Sequence, residues 1–131
     1  MYKLPIKKLK EFKIGIVYLY GSVVNGYESR FSDLDMGIVF TDPEILKNSL
    51  EIYNQLYSIF CEAIKVEREI DLVFLQQTSL SLQYSVICEG RVIYEISPAS
   101  RADYEEKVLD EYLDFEPISS YFDECLMRRL K

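Results

Sequence analysis

One stretch of this sequence decides the fold: residues 19–40, which read LYGSVVNGYESRFSDLDMGIVF. Gly21 and Ser22 follow an apolar run, and Asp33 and Asp35 stand one residue apart where a second apolar run begins. A carboxylate that faces a protein core is costly unless another charge or a hydrogen bond compensates it. We therefore interpret the two aspartates as ligands of metal ions, beside a glycine-serine turn that can bind phosphate.

The composition is that of one globular domain over residues 1–131, with 49% hydrophobic and 28% charged residues. The apolar runs are too short to span a bilayer and no secretory signal is visible, so we expect no membrane association. Cys61, Cys88 and Cys125 are far apart and form no C-x-x-C pair. This spacing favours reduced, partly buried thiols in a cytoplasmic protein.

The charge balance restricts the possible partners and chemistries. The chain carries 22 acidic and 15 basic residues, a net charge of -7, and no histidine. Domains that bind nucleic acid usually present a basic face, so we expect no direct nucleic-acid contact. The missing histidine excludes a Ser-His-Asp triad, a Cys-His pair and a His-rich zinc site. An enzyme with this composition would work through carboxylates, metal ions and backbone groups.

Apolar patterning predicts alternating strands and helices, the order of a small α/β or α+β domain. Thr41, Asp42 and Pro43 predict the start of a long amphipathic helix. Thr78 or Ser79 is expected to cap a later helix that Gly90 ends. The predicted strands are 13–20, 34–40, 69–75 and 91–96, and the predicted helices are 22–28, 43–65, 78–90, 98–113 and a last one after Pro117.

Three acidic residues can converge on one face of this sheet. Asp33 and Asp35 point to the same side of an extended segment because they are two residues apart. Asp71, in the strand EIDLVFL, joins them if the two strands are neighbours. Three converging carboxylates repel unless protons or cations intervene, and Mg²⁺ bound through carboxylates and substrate phosphates fits this set. Taken singly, each of these features is common at a solvated strand end, and only the combination favours a metal site.

The combined pattern resembles a known family. Gly21-Ser22, ten residues, and then Asp33-Leu34-Asp35 resemble the G-S-x10-D-x-D motif of DNA polymerase β-like nucleotidyltransferases. Asp71 falls where that family has its third carboxylate. The short chain and its ending, GRVIYE followed by YEEKVLDEYLDFEPISSYF, resemble minimal nucleotidyltransferases (MNT), and among them MntA-type antitoxins encoded with a HEPN-domain toxin.

This resemblance implies a fold, an activity and a partner. The fold would be a small mixed β-sheet with helices packed mainly on one face. The activity would be Mg²⁺-dependent transfer of AMP from ATP to a tyrosine of the HEPN toxin, which silences the toxin. Asp33 and Asp35 would hold two metal ions, and Asp71 would complete the metal site on the acceptor side and help to activate the acceptor hydroxyl. Gly21 and Ser22 would hold the triphosphate.

One position departs from the family pattern. Many relatives carry Arg or Lys three residues after the serine, whereas this chain has Asn25. Arg30 is a candidate source of the missing charge near the nucleotide, and a solvated loop arginine is the alternative reading. The C-terminal region, about residues 98–131, is a candidate partner-binding surface.

Three other functions stay open at this stage. The chain could be a small-molecule, antibiotic-type nucleotidyltransferase, although it has little length for a separate acceptor domain. It could be a non-catalytic antitoxin that blocks its partner sterically. It could also be the substrate-binding half of a larger complex in which catalysis is completed in trans.

Overall fold

The computed structural model describes residues 4–21, 34–64 and 70–114. These residues form one four-stranded sheet with the order β3-β2-β1-β4. β1 is antiparallel to β2 and β4, and β2 is parallel to β3, so the sheet is mixed. The elements are α1 (Ile6–Glu11), β1 (Ile14–Tyr20), β2 (Leu34–Phe40), α2 (Ser49–Ile64), β3 (Ile70–Phe74), α3 (Leu80–Glu89), β4 (Arg91–Glu95) and α4 (Pro98–Leu113).

The predicted mixed sheet and α+β fold class are confirmed. Asp42 begins the long helical segment as predicted, because its Oδ1 accepts a hydrogen bond of 3.0 Å from the Glu44 amide. The first six residues of that segment, Pro43–Asn48, form a 3₁₀ helix that leads into α2. The helices predicted for 22–28 and after Pro117 lie outside the described residues.

Helix α1 was not predicted, because its sequence gives little periodic signal. Four of its six residues are charged, and Leu9 is its buried residue. A single apolar anchor cannot produce the repeating apolar spacing from which an amphipathic helix is recognised. The sequence IKKLKE therefore gives no helix signal of its own.

Apolar clusters cover both faces of the sheet. On one face, the even-numbered residues of β2 from Leu34 to Phe40 pack against α2 and α1 through a shared core. On the other face, Ile16, Tyr18 and Val39 pack with Leu75 and with Val86 of α3. Within the part of the chain that the structure describes, α1 and α2 therefore lie on one face of the sheet and α3 and α4 on the other, whereas the resemblance implied helices mainly on one. The reason lies in β1, which is buried from Ile14 to Leu19 and needs cover on both sides.

Hydrogen bonds attach α4 to the sheet and to α3. The Tyr18 hydroxyl, on β1, donates to Oε1 of Glu105 at 2.8 Å, and Arg101 donates to the same carboxylate at 3.4 Å. The Tyr104 hydroxyl donates to Oε1 of Gln83 at 2.8 Å. Burial, and then the neighbouring Glu105, raises the pKa of Tyr18 well above its ordinary value. The residues of α4 up to Leu113 therefore belong to the folded domain.

Two further sequence expectations can be compared with the structure. Among the helices of residues 4–21, 34–64 and 70–114, none has the length and apolar character needed to cross a membrane. Cys61 and Cys88 are free thiols but are exposed on α2 and α3, whereas partly buried thiols were expected. Cys125 lies outside the described residues.

Candidate active site

The strand directions bring three of the predicted site residues to one end of the sheet. β1 runs antiparallel to β2, so the end of β1 lies beside the start of β2, and Tyr20 is the register partner of Asp35. β3 runs parallel to β2, and Asp35 is the register partner of Asp71. Neighbouring strands lie about 4.8 Å apart. Asp35, Asp71 and Gly21, the residue after Tyr20, are therefore neighbours.

The two carboxylates project from the face that α3 and α4 cover farther along the strands. Asp35 alternates with Gly37 and Val39 on this face, and Asp71 alternates with Val73. Val39 and Val73 belong to the apolar cluster beneath α3. Asp35 is half-buried and Asp71 is exposed. The acidic pair thus stands where the apolar cluster ends and solvent begins.

Gly21 is required at this position for two reasons. Its φ is +86°, in the region that favours glycine. A Cβ atom at Gly21 would lie 2.3 Å from Oδ2 of Asp35, far inside normal contact distance. The space left by the missing side chain is therefore occupied by the Asp35 carboxylate.

Tyr20 is a site residue that sequence reasoning missed. Burial raises the pKa of Tyr20 to about 12, with further contributions from the charges of Asp35 and then Asp71. Tyr20 therefore borders the acidic pair, in agreement with its register pairing with Asp35. In the sequence, a tyrosine at the end of KIGIVYLY reads as a core residue. Its place next to Gly21 was the signal that could have identified it.

The described donor set fits Mg²⁺, a hard cation that prefers carboxylate oxygens. Asp35 and Asp71 supply adjacent carboxylates, and Gly21 leaves room for one oxygen of Asp35. Within the three described ranges, no group of three or more His, Cys, Asp or Glu side chains is gathered as a metal site. Asp33, the first acid of the predicted D-x-D motif, lies outside those ranges, as do the nucleotide-site candidates Ser22, Asn25 and Arg30.

A cavity of about 380 Å³ lies at the opposite end of β1 and β2, between the sheet and α4. Its glutamines are already paired with protein groups. Gln83 accepts from Tyr104, and Gln76 bonds both the amide and the carbonyl of Phe40, at 2.8 and 3.0 Å. Val39, which lines the cavity, is four residues from Asp35, about 13 Å along the strand. This cavity is therefore separate from the acidic pair.

The mixed sheet, with paired carboxylates beside a glycine turn, agrees with the nucleotidyltransferase fold. Residues 5–99 match the family described as Polymerase beta, Nucleotidyltransferase. This range is well over half of the 131-residue chain, and the chain belongs to that family. The family prediction made from the motif is therefore confirmed. No curated protein matches the sequence.

Several solved structures share the fold. A chain of a toxin-antitoxin structure with AMP-PNP is 24% identical, with 92% of this chain and 94% of that chain covered and a TM-score of 0.63. A chain of the toxin-antitoxin MntA-HepT is 21% identical, with 92% of each chain covered and a TM-score of 0.60. A complex of tri-AMPylated Shewanella oneidensis HEPN toxin with MNT antitoxin contains a chain that is 20% identical, with 92% of each chain covered and a TM-score of 0.56. At these identities the likeness shows the fold.

Proposed function

We propose that this protein is an antitoxin that transfers AMP from ATP to a tyrosine of a HEPN-domain toxin, with Mg²⁺ as cofactor. The observation that carries the proposal is the register pairing of Asp35 with Asp71 beside the Gly21 turn. Membership of the nucleotidyltransferase family supports the transfer chemistry. Fold relatives crystallised with AMP-PNP, or with a tri-AMPylated HEPN toxin, support the choice of nucleotide and acceptor.

The carboxylates divide into two roles. Asp33 and Asp35 hold two Mg²⁺ ions, and Asp71 completes the set on the acceptor side. When bound, the two ions offset the triphosphate charge and stabilise the attacking and leaving oxygens. Asp35 is half-buried, so its charge acts in a region of lower effective dielectric than bulk water. Asp71 is exposed, so an acceptor hydroxyl from another protein can reach it.

The turn after β1 receives the triphosphate. Gly21 allows close approach of the backbone, and Ser22 contributes its hydroxyl and nearby amide groups. Asn25 and Arg30 lie farther along the same segment of sequence and would contact the phosphates. Because Asn25 carries no charge, we expect a modest affinity for ATP.

The reaction forms one bond and breaks one. The acceptor tyrosine oxygen bonds to the α-phosphorus of ATP. The bond from that phosphorus to the bridging oxygen of the β-phosphate breaks, and pyrophosphate leaves with the electron pair. The phenol proton passes to the carboxylate of Asp71 and then to solvent.

The surface of this protein that binds the partner is expected to be acidic. Helix α4 exposes several carboxylates, with Lys107 as a basic residue among them, and the whole chain has a net charge of -7. A partner with a basic face would associate quickly and in a salt-sensitive way. The exposed acidic residues are Asp103, Glu106, Asp110 and Glu111 on α4, and Asp114 directly after it.

The test is to incubate the protein with labelled ATP, Mg²⁺ and a co-expressed partner, and then to measure the intact mass of both chains. We expect one or a few AMP groups on a partner tyrosine. The double substitution Asp33→Asn with Asp35→Asn should abolish transfer without loss of fold, because it removes like-charge repulsion. Glu51→Gln, an exposed site on α2, is the matched control and should transfer normally.

The same experiment separates the alternatives. Label found on a small metabolite would replace this proposal with a small-molecule nucleotidyltransferase. Inhibition of the partner without any label, under several divalent metals, would indicate a non-catalytic antitoxin. Transfer only in the presence of a second protein that supplies catalytic groups would indicate catalysis in trans.

A further inference from the structure

Arg91 lies at the end of the sheet that carries the candidate site. It is the first residue of β4 and the register partner of Leu19, which is one residue before the end of β1. Gly21 follows Leu19 by two residues, so strand geometry puts the Cα atoms of Arg91 and Gly21 about 8 Å apart. Asp35 and Asp71 lie on the other side of β1. The glycine turn therefore has acids on one side and a cation on the other.

The residue before Arg91 fixes where β4 begins. A Cβ atom at Gly90 would lie 2.5 Å from the carbonyl oxygen of Val86 and 3.3 Å from that of Leu19. The missing side chain therefore lets α3 end close against β1. The Gly90 amide also donates a hydrogen bond of 2.7 Å to the Val86 carbonyl. Arg91 thus starts its strand at a defined point beside the end of β1.

The side chain of Arg91 is available to a ligand. It is exposed, and no residue of the described ranges forms a hydrogen bond or an ion pair with it. The other arginine of these ranges, Arg101, is paired with both Glu95 and Glu105. Arg91 is also the only basic residue in the four described strands. The sheet therefore presents one unpaired cation, and it stands at the end where the nucleotide is proposed to bind.

The proposed reaction leaves an excess of negative charge that a cation can offset. Three carboxylates and a nucleoside triphosphate together carry about -7, and two divalent ions reduce this to about -3. Asn25, in the segment after the glycine turn, contributes no charge. A guanidinium binds phosphate oxygens through two parallel hydrogen bonds, so arginine is well suited to a polyphosphate.

We infer that Arg91 binds the β- and γ-phosphates of ATP, on the side of the Gly21 turn opposite to the acidic pair. This inference rests on the proposed function. The α-phosphorus has to lie near the metal ions held by Asp35 and Asp71, and in this arrangement the other two phosphates extend across the turn. Arg91 shares a face of the sheet with its register partner Leu19, whereas the acids lie on the other face. The triphosphate is thus held from both faces at the end of the sheet.

A purely structural role for Arg91 makes a different prediction. Charged side chains on an edge strand such as β4 commonly prevent the sheet from pairing with other chains. In that role lysine or glutamine would leave the nucleotide affinity unchanged. In the phosphate-binding role, the affinity depends on the positive charge and on the two parallel donors of the guanidinium.

The experiment measures binding of the α,β-methylene analogue of ATP to the full chain in Mg²⁺ by isothermal titration calorimetry. This analogue cannot transfer AMP, because a methylene group replaces the bridging oxygen of the bond that breaks. We expect Arg91→Gln to weaken its binding by about 10- to 100-fold, the usual effect of removing a charged hydrogen-bond donor. Arg91→Lys keeps the charge and should weaken binding less. The affinity for AMP, which lacks the β- and γ-phosphates, should be equal in wild type and Arg91→Gln.

Lys10→Gln is the matched control. Lys10 is exposed on α1, and its carbonyl accepts a hydrogen bond of 3.0 Å from the Lys13 amide, so it lies near the start of β1, at the opposite end from Gly21. This substitution removes the same charge and should leave the affinity for the analogue unchanged.

The outcomes separate this inference from the proposed function. Equal affinity for the analogue in wild type and Arg91→Gln would overturn the inference and leave the proposed function standing. Equal weakening in Arg91→Gln and Lys10→Gln would also overturn it, in favour of a general effect of net charge. Equal weakening of analogue and AMP binding in Arg91→Gln would overturn the assignment to the β- and γ-phosphates. A wild-type chain that binds no analogue would overturn the proposed function and this inference together.

Discussion

The substitution Gly21→Ala should damage activity far more than stability. Alanine at a φ of +86° costs about 1–2 kcal/mol, which lowers the melting temperature by on the order of 5 °C. Its Cβ would lie 2.3 Å from Oδ2 of Asp35, so the carboxylate has to move by roughly 1 Å to reach ordinary contact distance. A displacement of that size at a reacting centre can cost about 100-fold in rate. We therefore expect transfer to fall about 100-fold in a protein that remains folded.

The assay compares AMP transfer and thermal melting for Gly21→Ala and Gly15→Ala. Gly15 lies at the opposite end of β1, where an added Cβ would meet the side-chain methyl of Thr41 at 2.9 Å. Thr41 is exposed, so this methyl can move aside at small cost. Gly15→Ala should therefore transfer at nearly the wild-type rate. A folded Gly21→Ala protein with wild-type transfer would refute the claim that the placement of Asp35 matters.

Three further results follow from the same structure. Asp71→Asn should lower the rate of AMP transfer much more than the affinity for ATP measured by titration, because the proposed role of Asp71 lies with the acceptor. Weakened ATP binding at an unchanged transfer rate would show that Asp71 is not a catalytic residue. Gly37→Ala should lower the free energy of unfolding in urea by about 1–3 kcal/mol, because the alanine Cβ would lie 2.9 Å from Cδ1 of the fully buried Leu75. An unchanged urea midpoint would contradict this prediction. Burial raises the pKa of Tyr18 and Tyr104 above that of an unfolded tyrosine, about 10. The free energy of unfolding that these two tyrosines contribute is therefore complete below about pH 10 and is lost as the pH rises further. The urea midpoint should accordingly be lower at about pH 11 than at about pH 9, and an equal midpoint at the two pH values would contradict this prediction.

The strands and the capped helices could be predicted because their signals are local. Alternation from Leu34 to Phe40 identified β2 and its apolar face, which packs against α2 in the structure. Ser79 was one of two predicted caps for α3, and its hydroxyl accepts from the Leu82 amide at 3.2 Å. The placement of helices on both faces was not predicted, because it depends on how each connection crosses the sheet.

The site could be predicted from the sequence only on the condition that β2 and β3 are neighbours in the sheet. Spacing showed that Asp35 and Asp71 each point to one side of a strand, but their meeting depends on β2 and β3 being neighbours. That adjacency is a property of the strand order. Tyr20 was missed for a related reason, since its proximity to the acids arises from the pairing of β1 with β2. Local pattern supplies the chemistry of each residue, and topology decides which residues meet.

One face of β2 changes from apolar core to charged site within a few residues. Val39 belongs to the apolar cluster, and Leu75 fills the space over Gly37 so closely that a larger residue would not fit. Asp35 follows directly, half-buried, with exposed Asp71 beside it. A carboxylate at the position of Gly37 would face Leu75 and pay the full cost of burial. At the position of Asp35 the side chain is only half-buried. The buried side strengthens its attraction for a cation, and the open side faces the solvent from which the proposed cation and triphosphate would enter.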